Sequence, residues 1–338
     1  MEDILESIRP CLTRGEQQKI VITTHHKPDA DALGSSLGLY HYLNGLGKDV
    51  TVVSPTDYPE FLHWMPGNQE VVNFEVEPDR ASELAMEADI VFCLDFNDLS
   101  RINRFGYVVG DSPAVKVMID HHRDPSGFDD YRYATIHTSS TSELIYDVIA
   151  KFGGQEVFNK DMASCLYAGI MSDTGSFRFD STSSDTHRKV ANLIDAGAES
   201  AKIHALLLDN FSLDRFKLMG YVLYHKLEVI PEYNTALVHL SREELQQFNV
   251  KTGDTEGFVN FGLSIQGVVF SALIIDRTVL VKMSFRSSGQ FPCNEFASNH
   301  FSGGGHRNAA GGSSNEKLED VVKRFKRLLP QYATYLQS

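Results

Sequence analysis

The sequence predicts an α/β protein in which a mostly parallel, doubly wound sheet forms the N-terminal domain and a smaller α+β domain follows it. Short apolar runs alternate with helix-length segments up to about residue 190. From about residue 226, strand-like runs follow one another through short connections, which is typical of hairpins. The chain has 338 residues, about twice the usual length of a domain. We therefore expect domains at residues 1–190 and 226–338, joined by a largely helical linker at 191–225.

The N-terminal domain is expected to contain buried strands, because several short runs are almost continuously apolar. They lie at residues 20–24, 50–54, 90–94, 115–119 and 133–137. An acidic, amphipathic helical segment within residues 1–18 precedes the first strand. Further helices are expected at residues 32–46, near 82–87, and at 141–152, 160–170 and 184–196. The last one starts at capping side chains and ends at Gly197, since glycine is favoured just past a helix.

The second half of the chain has a different pattern. A helical tract over residues 201–224 leads into it. Strands are expected at residues 235–240, 258–263, 268–276 and 278–285, and a tight turn at Asp276 and Arg277 separates the last two. An amphipathic helix over residues 317–336 follows. Consecutive strands with a final helix predict an α+β domain.

Charge and hydropathy exclude several classes of protein. The net charge of −14 argues against binding long duplex nucleic acid, because that requires many phosphates to be neutralised by basic residues. No stretch approaches the ~20 apolar residues that span a bilayer, so no membrane association is expected. Residues 1–8 lack the basic head and apolar body of a signal peptide. The four cysteines show no zinc-type spacing, and we expect a reduced, cytoplasmic protein.

Acidic and histidine side chains are concentrated where the predicted strands end. They are His25, Asp29, Asp31, Asp95, Asp120, His121 and His122, joined by Asp173 after the helix at 160–170. Ligand sites of open α/β sheets lie beyond the carboxyl ends of the strands, so these groups are expected to converge. So many ionisable groups in one crevice would repel one another unless cations neutralised them. The sequence therefore predicts a metal site with two ions.

Each motif taken alone also has a structural explanation. Asp29 and Asp31 precede a helix, where carboxylates serve as caps. Asp95 alone would fit an ordinary loop. The run Asp120-His121-His122 is harder to explain in this way, because three such groups rarely follow one strand by chance. The combination of motifs favours the metal site.

A second candidate site lies in a glycine-rich run near the C-terminus. Gly303, Gly304 and Gly305 are followed directly by His306 and Arg307. Glycines allow backbone N–H groups to approach an anion closely, and arginine offers a bidentate fork to phosphate. A bare glycine run would indicate only a flexible loop, whereas the adjacent basic residues favour a phosphate contact.

Four further residues have roles that the sequence leaves open. Arg286 lies at the end of the strand at 278–285, where it could equally be a surface charge. Arg101 and Arg178 fit either a phosphate contact or a structural ion pair. His26 neighbours His25, and we expect its side chain to face away from the site.

The motifs resemble the DHH phosphoesterase superfamily. The segment starting at His25 reads His-x-x-Pro-Asp-x-Asp-Ala-x-Gly-Ser, and a strand-end Asp, Asp-His-His and Ser-Asp-Thr-Gly follow in the family order. The run from Gly303 to Gly312 resembles the smaller associated domain of the RecJ-like and oligoribonuclease branches. Nearly the whole chain is covered, and its compact length is most similar to the bacterial oligoribonuclease (nanoRNase)/pAp phosphatase group.

The resemblance implies a role for each metal-site residue. Two divalent cations are expected, manganese with magnesium or cobalt as alternatives, and oxygen and imidazole ligands suit this choice. The implied ligands are His25 and Asp29 for one ion, Asp31 and His121 for the other, and Asp95 and Asp173 for both. Asp120 would orient a ligand histidine, and His122 would face the substrate phosphate.

The resemblance also implies the substrate contacts and the reaction. Arg286 and the run Gly303, Gly304, Gly305, His306 and Arg307 would bind substrate, with the active site in the cleft between the domains. The expected enzyme is a manganese-dependent phosphoesterase that hydrolyses short oligoribonucleotides, linear dinucleotides and pAp. An inorganic pyrophosphatase or exopolyphosphatase, and a non-catalytic nucleotide-binding sensor, are the alternatives. Whether the chain forms a homodimer is left open.

Overall fold

The computed structural model describes Arg9 and residues 18–337. The predicted helical segment before the first strand therefore lies outside the described residues apart from Arg9, as does Cys11. The chain divides into two units, Met1–Asn210 and Phe211–Ser338. Among the described residues, no helix is both long and apolar enough to cross a membrane.

The first unit is built on a six-stranded parallel sheet, which confirms the predicted fold class. Its strands are β1 (Lys19–Thr24), β2 (Asp49–Ser54), β3 (Val72–Asn73), β4 (Ile90–Leu94), β5 (Val115–Asp120) and β6 (Tyr131–Ala134). Their order across the sheet is β3-β2-β1-β4-β5-β6. The order reverses between β1 and β4, and crevices that bind ligands form at such switch points.

Helices cover both faces of this sheet. They are α1 (Ala30–Gly45), α2 (Pro78–Glu87), α3 (Phe105–Asp111), α4 (Thr141–Gly153), α5 (Lys160–Asp173), α6 (Ser184–Asp195) and α7 (Ser200–Leu208). Alternate residues of β1 serve the two faces: Ile20 and Ile22 pack in the cluster with α1, α4 and α5, and Val21 packs in the cluster with α2 and α3. A strand buried on both faces needs the continuous apolar run seen in the sequence.

The second unit contains a mixed sheet of six strands. They are β7 (Glu228–Ile230), β8 (Thr235–Leu240), β9 (Phe270–Asp276), β10 (Val281–Ser287), β11 (Gly304–His306) and β12 (Ala309–Ser314), arranged as β11-β12-β10-β9-β8-β7. Only β8 and β9 pair in parallel; the other pairs are antiparallel. The helices are α8 (Leu213–Tyr221), α9 (Arg242–Gln247), α10 (Phe258–Leu263), α11 (Cys293–His300), α12 (Leu318–Leu328) and α13 (Ala333–Leu336).

The strand predicted at residues 258–263 is wrong, because this segment is helix α10. Its phenylalanines and valine favour strands in general, but the buried residues Phe258, Val259 and Gly262 follow helical spacing. A Cβ at Gly262 would lie 2.6 Å from Cβ of Ala236 and would also meet Ser271 Oγ, so the glycine allows α10 to pack directly on the sheet. Tertiary packing therefore overrides the local preference.

Other predicted elements differ in their limits. The tract at 201–224 is two helices, α7 and α8, because Ser212 caps a new helix by accepting a hydrogen bond from the N–H of Arg215. The helix at 317–336 is divided into α12, a 3₁₀ turn that contains Pro330, and α13. The strand expected at 133–137 is β6, which starts two residues earlier, at Tyr131, and ends at Ala134.

Candidate metal centre

The loop after β1 turns the first motif back on itself. Asp29 caps α1, and its Oδ1 accepts hydrogen bonds from the N–H groups of Asp31 and Ala32, both at 3.0 Å. Its other oxygen, Oδ2, lies 3.9 Å from Nε2 of His25. Asp29 is thus both the helix cap that the sequence allowed and a member of the cluster. The two explanations are compatible, because they use different oxygens of one carboxylate.

Asp95 lies at the centre of the cluster. It follows β4, is 2% exposed, and has a positive φ of 64°. Its Oδ2 lies 3.4 Å from Nε2 of His25, and its Oδ1 lies 3.4 Å from Nε2 of His121. A non-glycine residue in this left-handed region is strained, and such strain is concentrated at functional sites. Asp95 therefore faces both histidines with opposite oxygens.

The Asp-His-His run lies at the end of β5, and its two histidines contact different carboxylates. His121 points Nε2 at Asp95 and also at Asp173, whose Oδ2 lies 3.5 Å away. Asp120, which is fully buried, accepts a hydrogen bond of 2.7 Å through Oδ1 from Nδ1 of His122. The resemblance implied that Asp120 orients a ligand histidine, whereas its hydrogen bond is to His122, the histidine expected to face the substrate.

The N-terminus of α4 holds Asp31. The N–H of Thr141 donates to Oδ2 of Asp31, and the N–H of Ser142 donates to Oδ1, each at 2.8 Å. The Thr141 hydroxyl also donates to Oδ1 of Asp95 at 2.8 Å. Carboxylates are stabilised at helix N-termini, where unpaired N–H groups and the helix dipole meet. Asp31 and Asp95 are thereby fixed by the same turn of helix.

Thr141 and Ser142 were missed by sequence reasoning, although a signal was present. Ser140 and Glu143 have the spacing of a helix start, and Ser140 Oγ accepts a hydrogen bond from the N–H of Glu143. The signal located the start of α4 but gave no hint of its partner. Asp31 lies more than a hundred residues earlier in the chain, and only the folded sheet brings the two together.

Among the described residues, two of the possible groups of donor atoms match the predicted ligands. One comprises His25, Asp29 and Asp95, and the other comprises Asp31, His121 and Asp173; within each group one ligand atom per residue lies within 4.8 Å of the others. Imidazole nitrogen and carboxylate oxygen suit divalent ions such as manganese and magnesium. The Nδ1 of His25 is hydrogen-bonded at 2.9 Å to the carbonyl of His26, an arrangement that orients Nε2 of metal-binding histidines. These residues therefore fit a metal site.

Burial and mutual repulsion disfavour the ionised carboxylates of the cluster unless positive charge lies nearby. Burial raises the pKa of Asp31 well above its usual range, and the nearby charges of Asp95 and Asp173 add to the effect. Burial also raises the pKa of Asp173, to about 6. Burial alone would lower the pKa of His25, but a hydrogen bond and charge from Asp95, with the charge of Asp29, outweigh it and raise the pKa to about 9. Protons on the histidines, or cations in their place, balance the carboxylates.

His26 links the loop after β1 to the loop after β4. Its backbone N–H and its Nδ1 both bond to the carbonyl oxygen of Arg101, at 2.8 Å and 2.7 Å. The Arg101 charge tends to lower the pKa of His25, which indicates that this guanidinium lies near the cluster. Arg178 is exposed, and its Nε donates at 2.7 Å to the carbonyl oxygen of Gly175.

In the second unit, the glycine-rich run forms a hairpin instead of a loop. Strands β11 and β12 pair Gly304 with Gly311 and His306 with Ala309, and β12 in turn pairs with β10, where Arg286 lies opposite Ala309. Arg307 donates to Oε1 of Gln290 at 2.7 Å. The run and Arg286 therefore belong to neighbouring strands of one sheet.

Comparison with known proteins agrees with this architecture. The model of the DHH family N-terminal domain matches residues 19–170, and the DHHA1 domain matches residues 233–331. The probable bifunctional oligoribonuclease and PAP phosphatase NrnA of Streptococcus mutans is 31% identical over 92% of this chain and 94% of its own length. The bifunctional oligoribonuclease and PAP phosphatase NrnA of Thermus thermophilus is also 31% identical, over 92% of this chain and 88% of its own.

Solved structures extend the comparison. An exopolyphosphatase-related protein from Bacteroides fragilis is 40% identical and superposes with a TM-score of 0.94, covering 100% of this chain and 98% of that one. RecJ of Thermus thermophilus, solved in complex with Mn²⁺, shares the fold alone, with a TM-score of 0.55 and 14% identity over 98% of this chain and 54% of that one.

The fold, the order of the motifs and the similarity to full-length relatives define a class of phosphoester hydrolase. This chain belongs to the DHH family, and it carries the DHH domain in its first unit and the DHHA1 domain in its second.

Proposed function

We propose that this protein is a manganese-dependent phosphoesterase that hydrolyses short oligoribonucleotides and linear dinucleotides to mononucleotides, and pAp to AMP. The observation that carries the proposal is the pair of donor groups that meet at Asp95, whose two oxygens face His25 and His121. The names of the relatives from Streptococcus mutans and Thermus thermophilus, which describe oligoribonuclease and PAP phosphatase activities, support the choice of substrates.

The proposed ligands divide between two cations. His25 and Asp29 would hold one, Asp31 and His121 the other, and Asp95 and Asp173 both. When bound, such a pair of divalent ions lowers the pKa of water and offsets the negative charge of a phosphoryl group. Manganese accepts both imidazole and carboxylate ligands, which supports it over magnesium.

His122 is the proposed group that acts on the substrate directly, and Asp120 is the residue that positions it. The hydrogen bond from Nδ1 of His122 to Oδ1 of Asp120 fixes the imidazole ring and directs Nε2 away from Asp120. In the proposal, His122 acts as the imidazolium, which carries a proton on both ring nitrogens, and its N–H at Nε2 donates to an oxygen of the scissile phosphate. Asp120 thereby positions a proton at the reacting group without touching the substrate itself.

The second unit is proposed to bind the part of the substrate that is remote from the cleaved bond. Arg286, His306, Arg307 and the N–H groups of Gly303, Gly304 and Gly305 would contact its phosphate and sugar. His306→Ala and Arg286→Ala are expected to lower kcat/KM for a dinucleotide while the manganese content stays unchanged, because remote contacts add binding energy without holding the ions.

The experiment that tests the function is a panel of defined substrates at matched concentration with manganese. The panel contains pApA, oligoribonucleotides of two to five residues, pAp and pyrophosphate, and Asp95→Asn serves as the inactive control. We expect mononucleotide from pApA and AMP from pAp. The relative described as exopolyphosphatase-related makes release of phosphate from pyrophosphate the result that favours the alternative enzyme. No product from any substrate would indicate a nucleotide-binding sensor.

Substrate length gives a second test. Lysine and arginine total 31 against 45 acidic residues, so a long strand has few basic partners along the surface. We expect kcat/KM to be highest for two to about four nucleotides, and to fall roughly tenfold or more for a single strand of about 24 nucleotides. Equal efficiency on long strands with a steep dependence on salt would contradict the proposal.

A further inference from the structure

Thr141 touches both donor groups of the centre, although it is not a ligand in either. Its hydroxyl donates to Oδ1 of Asp95 and its N–H donates to Oδ2 of Asp31, both at 2.8 Å. The residue is fully buried. We propose that Thr141 is a positioning residue that sets the rotation of the Asp95 carboxylate and thereby the affinity of the centre for its cations. The inference rests on the proposed two-metal site.

Asp95 needs such a partner because its carboxylate serves two sides at once. Oδ2 faces His25 and Oδ1 faces His121, each at 3.4 Å, so rotation about the Cβ–Cγ bond would move both oxygens away from their positions. The backbone of Asp95 is already in the strained left-handed region, at φ 64°, so a backbone shift cannot readily compensate for a rotated carboxylate. A hydroxyl bonded to Oδ1 selects one rotation of the carboxylate.

Thr141 is suited to this task because its own position is fixed. It is the first residue of α4, which Ser140 caps, and β-branched side chains have few rotamers. The same turn is anchored by Glu143, whose buried carboxylate accepts hydrogen bonds from Ser139 N–H and Oγ, at 3.0 Å and 2.6 Å. Lys189 adds an ion pair of 3.0 Å to Glu143 from α6.

Loss of the Thr141 hydroxyl should weaken manganese binding and leave the fold intact. Thr141→Val keeps the shape of the side chain and removes only the donor, so manganese affinity should fall roughly tenfold, the lower end of what outer partners of metal ligands contribute. Thr141→Ser restores the hydroxyl and should bind within about twofold of the wild type. Thr138→Val is the matched control, because the Thr138 hydroxyl contacts the carbonyl oxygen of Ser140, at 3.4 Å, and no ligand.

The test measures free manganese by electron paramagnetic resonance during titration of the full chain. Two bound ions in the wild type, weaker binding in Thr141→Val, and wild-type binding in Thr141→Ser and Thr138→Val are expected. Hydrolysis at limiting manganese should also fall in Thr141→Val and recover as manganese is added. Thermal unfolding in EDTA checks the fold; if Thr141→Val melts early, Thr141→Ala supplies the same loss of hydroxyl in a smaller side chain.

The possible failures are distinguishable. A wild-type chain that binds no manganese would overturn the proposed metal centre itself. A wild type that binds two ions, with folded Thr141→Val or Thr141→Ala binding them equally well, would overturn the role of Thr141 alone. Weak binding in Thr141→Ser as in Thr141→Val would also overturn it, because the hydroxyl would then not be the group that matters.

Discussion

The two units hold their candidate residues in opposite ways. In the first unit, Asp31 and Asp95 are each 2% exposed and are held by side-chain and backbone donors from different parts of the fold. In the second unit, Gly304, Gly305 and Arg307 are exposed, and strand pairing fixes the backbone of the glycine run. In the first unit the candidate residues depend on the chemistry of their buried side chains. In the second unit they depend on the geometry of the backbone. Substitutions should therefore cause abrupt losses in the first unit and graded losses in the second.

The largest effect is expected for Asp95→Asn. The amide keeps the size of the side chain but loses the charge shared between His25 and His121, so cations should bind weakly and at displaced positions. Ligands of this type contribute several kcal/mol, and we expect kcat to fall at least about a hundredfold. Initial rates on pApA and manganese content measure the two effects. More than a tenth of the wild-type rate would contradict the two-metal assignment.

The next largest effect is expected for a variant that disturbs the orientation of His122 without removing a proposed metal ligand. Asp120→Asn replaces the carboxylate that fixes Nδ1 of His122, so the histidine should lose its preferred orientation. Residues that orient a functional histidine typically contribute 10–100-fold, and we expect kcat to fall by roughly thirtyfold.

The control for Asp120→Asn is manganese content, measured on the same sample. It should equal that of the wild type, because the hydrogen bond of Asp120 is to His122 and not to a proposed ligand. Loss of manganese from Asp120→Asn would show that this carboxylate, whose Oδ2 is buried without a hydrogen-bond partner, belongs to the metal centre instead.

The contrast between the units also explains which parts of the fold and of the site could be predicted from the sequence. The strand ends that carry His25, Asp95 and Asp120 were predictable, because continuous apolar runs identify parallel strands and their carboxyl ends share one edge of the sheet. The hydrogen-bond donors of Thr141 and Ser142 were not predictable, because hydroxyl-bearing residues at the start of a helix are usually ordinary caps. Their role depends on a contact with Asp31, at the start of α1, which is remote in the sequence.

In the second unit the errors arise from local preference. Residues 258–263 were expected to be a strand because phenylalanine and valine favour strands, yet the close approach at Gly262 makes the segment helix α10. The glycine run, which alone would indicate a flexible loop, is a hairpin because β11 pairs with β12, and β12 pairs in turn with β10. Both outcomes depend on neighbours that are remote in sequence.

A pair of neighbouring glycines tests whether backbone geometry governs the second unit. A Cβ at Gly303 would meet the backbone carbonyl of Gly311 and lie 2.7 Å from Cα of Gly312, whereas a Cβ at Gly304 meets nothing within 4 Å. Gly303→Ala should therefore reduce the free energy of unfolding by about 1–3 kcal/mol, as overpacking does. Gly304→Ala should stay within about 0.5 kcal/mol of the wild type.

Denaturant titration of both glycine variants measures these changes, and each variant is the control for the other. The manganese content should be unchanged in both, because the proposed ligands all lie in the first unit. Equal stability of the two variants would show that the hairpin adjusts to an added Cβ. That result would contradict the view that backbone geometry determines which residues the hairpin accepts.

The smallest effect is expected at His26, where a substitution removes a side-chain bond between two loops and leaves a backbone bond between the same loops. His26→Leu loses the Nδ1 contact with the Arg101 carbonyl, while the backbone N–H of residue 26 keeps its own. A single hydrogen bond contributes about 0.5–1.5 kcal/mol, so manganese affinity should weaken only roughly threefold. The loss should appear through His25, whose Nδ1 bonds to the carbonyl of this same residue.

Asparagine supplies the matched control for His26→Leu. Its side-chain NH₂ can take the place of Nδ1 in histidine and donate to the Arg101 carbonyl, so His26→Asn should bind manganese as the wild type does. Titration of the three proteins under one condition decides the matter. Equal weakening in both variants would mean that the imidazole ring acts by packing, and equal affinity in all three would mean that the side-chain bond of His26 does not contribute to manganese binding. Only recovery in His26→Asn supports a side-chain hydrogen bond that couples the loop after β1 to the loop after β4.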